Sequence, residues 1–150
     1  MINSCKNKRL WYLSGGMQKF GAKEIDKSNN WRIYLSQEIN KLSEGNITVC
    51  NPNTHWSFLT DPEEYTDREV MNLDIYKLRN SELVIYYNND PYSRGSMAEL
   101  GIAWERRIPI LVVSEEGEEI HPWVECMAEK ILPNFEELLW YIVAHYININ

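Results

Sequence analysis

The chain alternates short, continuously apolar runs with segments whose apolar residues recur at helical spacing. Leu10-Trp11-Tyr12-Leu13 is the first run, and it stops at Ser14-Gly15-Gly16, as a buried strand does where it meets a tight turn. From Asn30 to Leu42, residues Trp31, Leu35, Ile39 and Leu42 mark one helical face, closed by Gly45-Asn46. The β-branched run Ile47-Thr48-Val49-Cys50 follows and is halted by Asn51-Pro52-Asn53. A second helix is predicted from Tyr65 to Arg79, then the strongest strand signal in the chain, Leu83-Val84-Ile85-Tyr86-Tyr87. The polar loop Asn88 to Gly95 leads into a helix opening near Ser96, with Met97, Leu100, Ala103 and Trp104 on its inner face. That helix must end before Pro109. Ile110-Leu111-Val112-Val113 reads as a fourth strand, and Glu115 to Glu119 as a charged turn. A short helix is predicted after His121-Pro122, and a fifth, edge strand at Lys130-Ile131-Leu132. Asn134, with Glu137 three residues on, has the form of a capping box for a last helix carrying Leu138, Leu139, Ile142 and Tyr146.

Strands that are apolar throughout belong to a sheet covered on both faces, and strand–helix repetition makes such a sheet parallel. The predicted fold is α/β, a flavodoxin-like three-layer sandwich with a central, mostly parallel sheet of about five strands. One domain spanning residues 1–150 is expected, with Leu83 to Tyr87 inside the sheet. Ligands of such sheets bind at the carboxyl ends of strands, near the switch in strand order. Three segments qualify: Ser14 to Met17, Asn51 to Phe58, and Asn88 to Glu99. The stretch from Asn51 through Pro62 is long for a plain connector. Within it, His55 beside Trp56 is a candidate to bind or stack on a base; an exposed loop histidine is the alternative.

Composition narrows the classes. A chain of 150 residues, 44% of them hydrophobic, is long enough for one sizeable core. It has no apolar run of the roughly 18 residues that a membrane span needs, and no apolar segment before Leu10 to act as a secretory signal. No membrane partner is expected. The net charge of -7 argues against polymeric nucleic acid, which requires a basic stripe, but leaves room for a small anion held by backbone N–H groups. Cys5, Cys50 and Cys126 show no paired spacing and read as free thiols of a reducing, cytoplasmic compartment. His55, His121 and His145 form no ligand-spaced cluster, so no metal is expected. Six Trp and nine Tyr are a heavy aromatic load, assigned mostly to the core, with some left for a subunit interface or a flat ligand.

Several residues are candidates for chemistry. Gly15-Gly16 would admit a ligand closely and offer N–H groups to a phosphate or hydroxyl, or would serve only the turn. The P-loop and dinucleotide-binding patterns are both absent. Glu99 is placed in the first turn of the helix that Ser96 would cap, where the positive helix end favours a carboxylate. A carboxylate there suits a nucleophile; equally, Ser96 and Glu99 would form a capping box and do no more. Asp74 shares an apolar stripe with Val70, Met71 and Leu78, which is costly unless it is hydrogen-bonded or serves a site. An Asp at the edge of the stripe reaching solvent is the alternative. Asp90 follows the strongest strand as a second acid, a hydroxyl ligand or an ordinary Asp-Pro turn. Tyr12 lies near enough to the end of its strand to hydrogen-bond a carboxylate, or is simply packed.

The stretches Tyr12-Leu13-Ser14-Gly15-Gly16-Met17, Asp74 before the central strand, and Gly95-Ser96-Met97-Ala98-Glu99-Leu100-Gly101-Ile102-Ala103 together resemble the nucleoside 2-deoxyribosyltransferases and their N-glycosidase relatives that hydrolyse nucleoside 5'-monophosphates. The resemblance runs in order over most of residues 10–113. It implies Glu99 as the nucleophile at C1' of the sugar and Tyr12 as the residue that orients it. Asp74 would stand near the sugar and departing base, and Asp90 would hold sugar hydroxyls. Gly15 and Gly16 would line the 5' end, with Ser93, Arg94 or Ser96 adding donors for a phosphate, and Ser14 and Met17 belong to the substrate-binding set. It further implies a nucleoside or nucleoside 5'-monophosphate as partner, no metal or organic cofactor, and a homodimer or larger assembly. A nucleotide-binding module that uses the same pocket without turnover is the alternative.

Overall fold

The computed structural model describes residues 9–16, 25–55 and 66–148. Its elements in chain order are β1 (Arg9–Gly15), α1 (Ile25–Leu42), β2 (Ile47–Cys50), a 3-10 turn (Pro52–His55), α2 (Asp67–Arg79), β3 (Leu83–Tyr87), α3 (Arg94–Glu105), β4 (Ile110–Val113), α4 (Pro122–Met127), β5 (Lys130–Leu132) and α5 (Phe135–Ile142). A π-helical turn, Val143–Ile147, continues α5. The five strands form one sheet in the order β2-β1-β3-β4-β5, and every neighbouring pair is parallel. This is the flavodoxin-like order, with its switch point between β1 and β3.

Strand alternation divides the core in two. Trp11, Leu13, Ile85, Leu111 and Val113 face Trp31, Leu35 and Ile39 of α1 and Leu138 and Ile142 of α5. Tyr12, Val84, Tyr86 and Val112 face Leu78 of α2, Leu100 and Ala103 of α3, and Val124 of α4. Both faces are covered, which is why the strands read as continuous apolar runs. Register sets Tyr12 beside Cys50 of β2 and Val84 of β3, and Ser14 beside Tyr86.

Element boundaries differ from expectation where local chemistry outweighs periodicity. α1 begins at Ile25, ahead of the first apolar position used to detect it. α2 begins at Asp67 because Thr66 caps it: Thr66 Oγ1 accepts from Glu69 N at 3.2 Å and donates to Glu69 Oε1 at 3.0 Å. Gly45, at φ 76°, ends α1 in the left-handed conformation, its N–H bonding Asn40 O at 2.9 Å.

Among the described residues the aromatic side chains are not mostly core. Trp11 and Trp31 are buried, but Trp104, Trp123 and Trp140 are 57%, 73% and 72% exposed. Trp104 in particular lies off the inner face of α3, which Ser96, Leu100 and Ala103 supply. Cys50 and Cys126 are free thiols, as expected, and Cys5 lies outside the described residues. No helix among the described residues is long and apolar enough to cross a membrane.

Candidate active site

The site forms where α1, α2 and α3 meet the carboxyl end of β1. Glu99 lies in the second turn of α3, not the first, because Ser93 caps the helix. Ser93 Oγ accepts from Ser96 N at 3.3 Å and from Ser96 Oγ at 3.0 Å. Ser96 is therefore a buried helical residue and not the cap expected for this helix, and of the two readings of its pairing with Glu99 the capping box does not form. Glu99 is turned inward instead, and its Oε2 is out of reach of solvent.

Four side chains surround that carboxylate in electrostatic terms. Burial pushes the Glu99 carboxyl up to about 7; the Ser14 hydroxyl and the Arg32 guanidinium pull it down, Asp74 pushes it further up, and the Tyr12 hydroxyl pulls it down. The Ser14 and Tyr12 hydroxyls thus favour the carboxylate without closing a hydrogen bond of ordinary geometry. Tyr12 Oη, Ser14 Oγ and Glu99 Oε2 are all buried with no partner among the described residues. Such groups are individually costly, about 1–3 kcal/mol each, and three of them meet here.

Asp74 is only 9% exposed, alongside buried Val70 and Leu78, so it does not reach out to solvent. Its charge acts on Glu99, Tyr12, Arg32 and Cys50. Burial, followed by the charges of Glu99 and Asp74, drives the Tyr12 phenol far above its ordinary range, so it remains a proton donor. Burial and then Asp74 push the Cys50 thiol up to about 12, which keeps it protonated and a poor nucleophile.

Arg32 is the principal residue that apolar patterning passed over. It is fully buried, donates from Nη2 to Gly15 O at 2.8 Å, and lies 4.4 Å from the centroid of the Trp31 ring. The signal was its spacing: Arg32 stands three residues before Leu35 and seven before Ile39, on the buried face. Asn89 was missed too. Its Oδ1 accepts from Gly16 N at 2.9 Å, and its Nδ2 donates to Gly16 O at 3.4 Å.

The two glycines answer to close packing. A Cβ on Gly15 would lie 2.7 Å from Trp31 Cζ2, and one on Gly16 would lie 2.6 Å from Asp90 Cβ. Asp90 is buried and makes a turn of its own, with Oδ1 accepting from Tyr92 N at 3.1 Å. Its charge bears on Tyr86, whereas the charges bearing on Glu99 are those of Arg32 and Asp74. Arg94 is exposed at the first position of α3. His55 closes the 3-10 turn after β2; Met17 and Trp56 lie outside the described residues. Among the described residues, no group of three or more His, Cys, Asp or Glu could hold a metal ion.

No protein-family model matches this sequence, and no curated protein does. Solved structures do match. A conserved protein from Enterococcus faecalis V583 aligns at a TM-score of 0.73 and 16% identity, over 89% of this chain and 96% of that one. The 2-deoxyribosyltransferase from Bacillus psychrosaccharolyticus aligns at 0.65 and 16% identity, over 87% of this chain and 90% of the other. The Clostridium botulinum CMP N-glycosidase aligns at 0.60 and 17% identity, over 91% and 99% respectively. At these identities the likeness is one of fold, and it extends across nearly the whole of each chain.

Proposed function

We propose that the chain cleaves or transfers at the N-glycosidic bond of a nucleoside, a deoxynucleoside or a 5'-monophosphate of either, with Glu99 as the nucleophile. The observation that carries this reading is the setting of Glu99: a carboxylate enclosed at the end of β1, ringed by the Tyr12 and Ser14 hydroxyls, Arg32 and Asp74. The fold, shared with a 2-deoxyribosyltransferase and a CMP N-glycosidase, supports it.

In this mechanism a Glu99 oxygen forms a bond to C1' as the C1'–N bond breaks through an oxocarbenium-like state. The electron pair of the broken bond leaves with the base, which takes a proton from Asp74 or from water. Water, or a ring N–H of a second base, then attacks C1' and frees the Glu99 carboxylate, and the proton lost by either acceptor passes to the group that protonated the leaving base, Asp74 or the hydroxide left by water. Tyr12, held protonated, and Ser14 orient the carboxylate and offer hydroxyls to the sugar. Asp90 is assigned to a sugar hydroxyl. Gly15 and Gly16 are assigned to line the 5' end, but because the Gly16 N–H already bonds Asn89 and the Ser96 hydroxyl already donates to Ser93, Arg94 and the Ser93 hydroxyl are the donors assigned to a 5' phosphate. Met17, His55 and Trp56 complete the assigned substrate-binding set, the last two on the base side. The assembly is proposed as a cytoplasmic homodimer or larger, with exposed Trp104 and Trp140 available for an interface.

Base release from a panel of nucleosides and 5'-monophosphates, run with and without an acceptor base and without added metal, tests the reading. Release from at least one member supports it, and dependence on the acceptor separates transfer from hydrolysis. Tight binding without release would favour the non-catalytic nucleotide-binding module instead.

A further inference from the structure

We propose that Arg32 is a positioning residue for Glu99: anchored to the Gly15 carbonyl and laid against the Trp31 ring, its guanidinium supplies the fixed positive charge that the inward-turned Glu99 side chain faces at the end of β1. The kinetic part of this inference rests on the N-glycosidic reading; the electrostatic part stands without it.

Arg32 reaches from α1 to the end of β1, where Nη2 donates to Gly15 O at 2.8 Å. Gly15 directly follows Ser14, whose hydroxyl bears on Glu99. The guanidinium is fully buried, which costs heavily unless opposite charge and hydrogen bonds compensate. The opposite charges acting on it are Glu99 and Asp74. Burial lowers its affinity for the proton to about 10, still far above neutrality, so it remains a cation across the working range. The Trp31 ring, with its centroid 4.4 Å away, and the absence of a side chain on Gly15 fix its place: a Cβ there would lie 3.3 Å from Nη2.

Facing Glu99, β1 supplies the neutral Tyr12 and Ser14, and α2 supplies Asp74, which opposes ionisation. β2 supplies Cys50, which stays protonated and is itself influenced by Lys77. Arg32 is the cation acting directly on Glu99 among the described residues. Glu99 would otherwise face burial and Asp74 with hydroxyl dipoles alone.

The test is a carboxyl ¹³C titration of the whole protein, with the Glu99 signal identified by its loss in Glu99→Gln. Arg32→Gln is expected to raise the Glu99 midpoint by about one pH unit or more, as the removal of a close cation should. Arg32→Lys, which keeps a charge, is expected to stay nearer to wild type. A folded Arg32→Gln protein with a wild-type midpoint overturns the inference, even if it is less stable, because a purely structural role predicts that pattern. Should Arg32→Gln not fold, guanidinium ¹⁵N signals of the wild type serve instead. They are expected to step at the Glu99 midpoint and to lose that step in Glu99→Gln; flat signals in the wild type overturn the inference. In kinetics, the acid limb of kcat/KM should rise with the midpoint. An inactive wild type whose midpoint still moves with Arg32 removes the enzymic reading and leaves the Arg32 role; an active enzyme whose midpoint does not move removes only the latter.

Discussion

The Asn89 side chain bonds Gly16 from both sides, accepting its N–H at 2.9 Å and donating to its carbonyl at 3.4 Å. The bonds tie the turn after β1 to the turn after β3, the two strands that flank the switch in strand order. Asn89→Ala removes both bonds and leaves part-buried backbone groups without them. A loss of about 1–3 kcal/mol in chemical denaturation is expected, together with weaker substrate binding. Unchanged stability and binding would show that the tie does not organise the site.

Close packing at the glycines gives a steric prediction. Gly15→Ala would bring a Cβ to 2.7 Å from Trp31 Cζ2, and Gly16→Ala to 2.6 Å from Asp90 Cβ. Overpacking of this kind costs about 1–3 kcal/mol. Gly95→Ala meets nothing within 4 Å, and in its helical position it should gain up to about 0.5–1 kcal/mol. Thermal unfolding of the three variants checks the contrast, and equal effects at all three would contradict it.

The helix cap can be assigned by substitution. Ser93→Ala removes the acceptor for Ser96 N and is expected to cost about 0.5–2 kcal/mol. Ser96→Ala removes only a hydroxyl that bonds Ser93 and should cost less. The reverse ranking in denaturation would restore Ser96 as the cap.

The sheet was legible because strands buried on both faces carry unbroken apolar runs. β3 and β4 are found at the predicted residues, and the strand order is as predicted. The position of Glu99 near the strand ends was legible too, but its local setting was not. Ser93 and Ser96 are both competent caps, and Ser96-x-x-Glu99 copies a capping-box spacing, so spacing alone could not choose between a cap and an inward-facing acid. Asp74 was visible as an acid on an apolar stripe. Arg32 stands on an equally apolar stripe, yet a charged residue beside Trp31 reads as the solvent edge of a helix until the carbonyl it bonds is known. Trp104 failed in the opposite sense: its apolar character suggested the core, and the helix rotation set by Ser96, Leu100 and Ala103 turned it out.

Glu99 also sets a pH dependence of stability. Its folded-state value, near 7, lies above the ordinary carboxylate value of 4.5. Between these two values the unfolded chain is ionised while the folded one still holds the proton. This contribution to stability is complete below the lower value and is lost as pH rises through the upper one. Glu99→Gln should therefore gain on wild type between pH 4.5 and 7, by on the order of 1–3 kcal/mol once above that window. Denaturation of both proteins across that range measures the difference; a constant difference would mean that Glu99 is not held away from its ordinary value.

Asp74→Asn keeps a hydrogen-bonding side chain but removes a buried negative charge beside Glu99. Turnover should fall by about 10²–10⁴-fold if Asp74 is the acid that serves the leaving base. A covalent adduct on Glu99 should still form with a substrate whose base leaves readily. Mass spectrometry of the quenched reaction follows the adduct, and its complete absence in Asp74→Asn would place Asp74 in the attack itself.

The central claim is that the Glu99 carboxylate attacks C1', and base release by Glu99→Gln tests it most directly. Gln retains the shape and hydrogen-bonding capacity of the side chain but has no negative charge to attack with. Because Ser93 caps α3, the substitution removes no cap. At matched folded concentration and with ligand binding measured in parallel, base release should collapse while nucleotide binding survives. Wild-type turnover in Glu99→Gln would contradict the claim and leave Glu99 as a buried acid without the nucleophile's role.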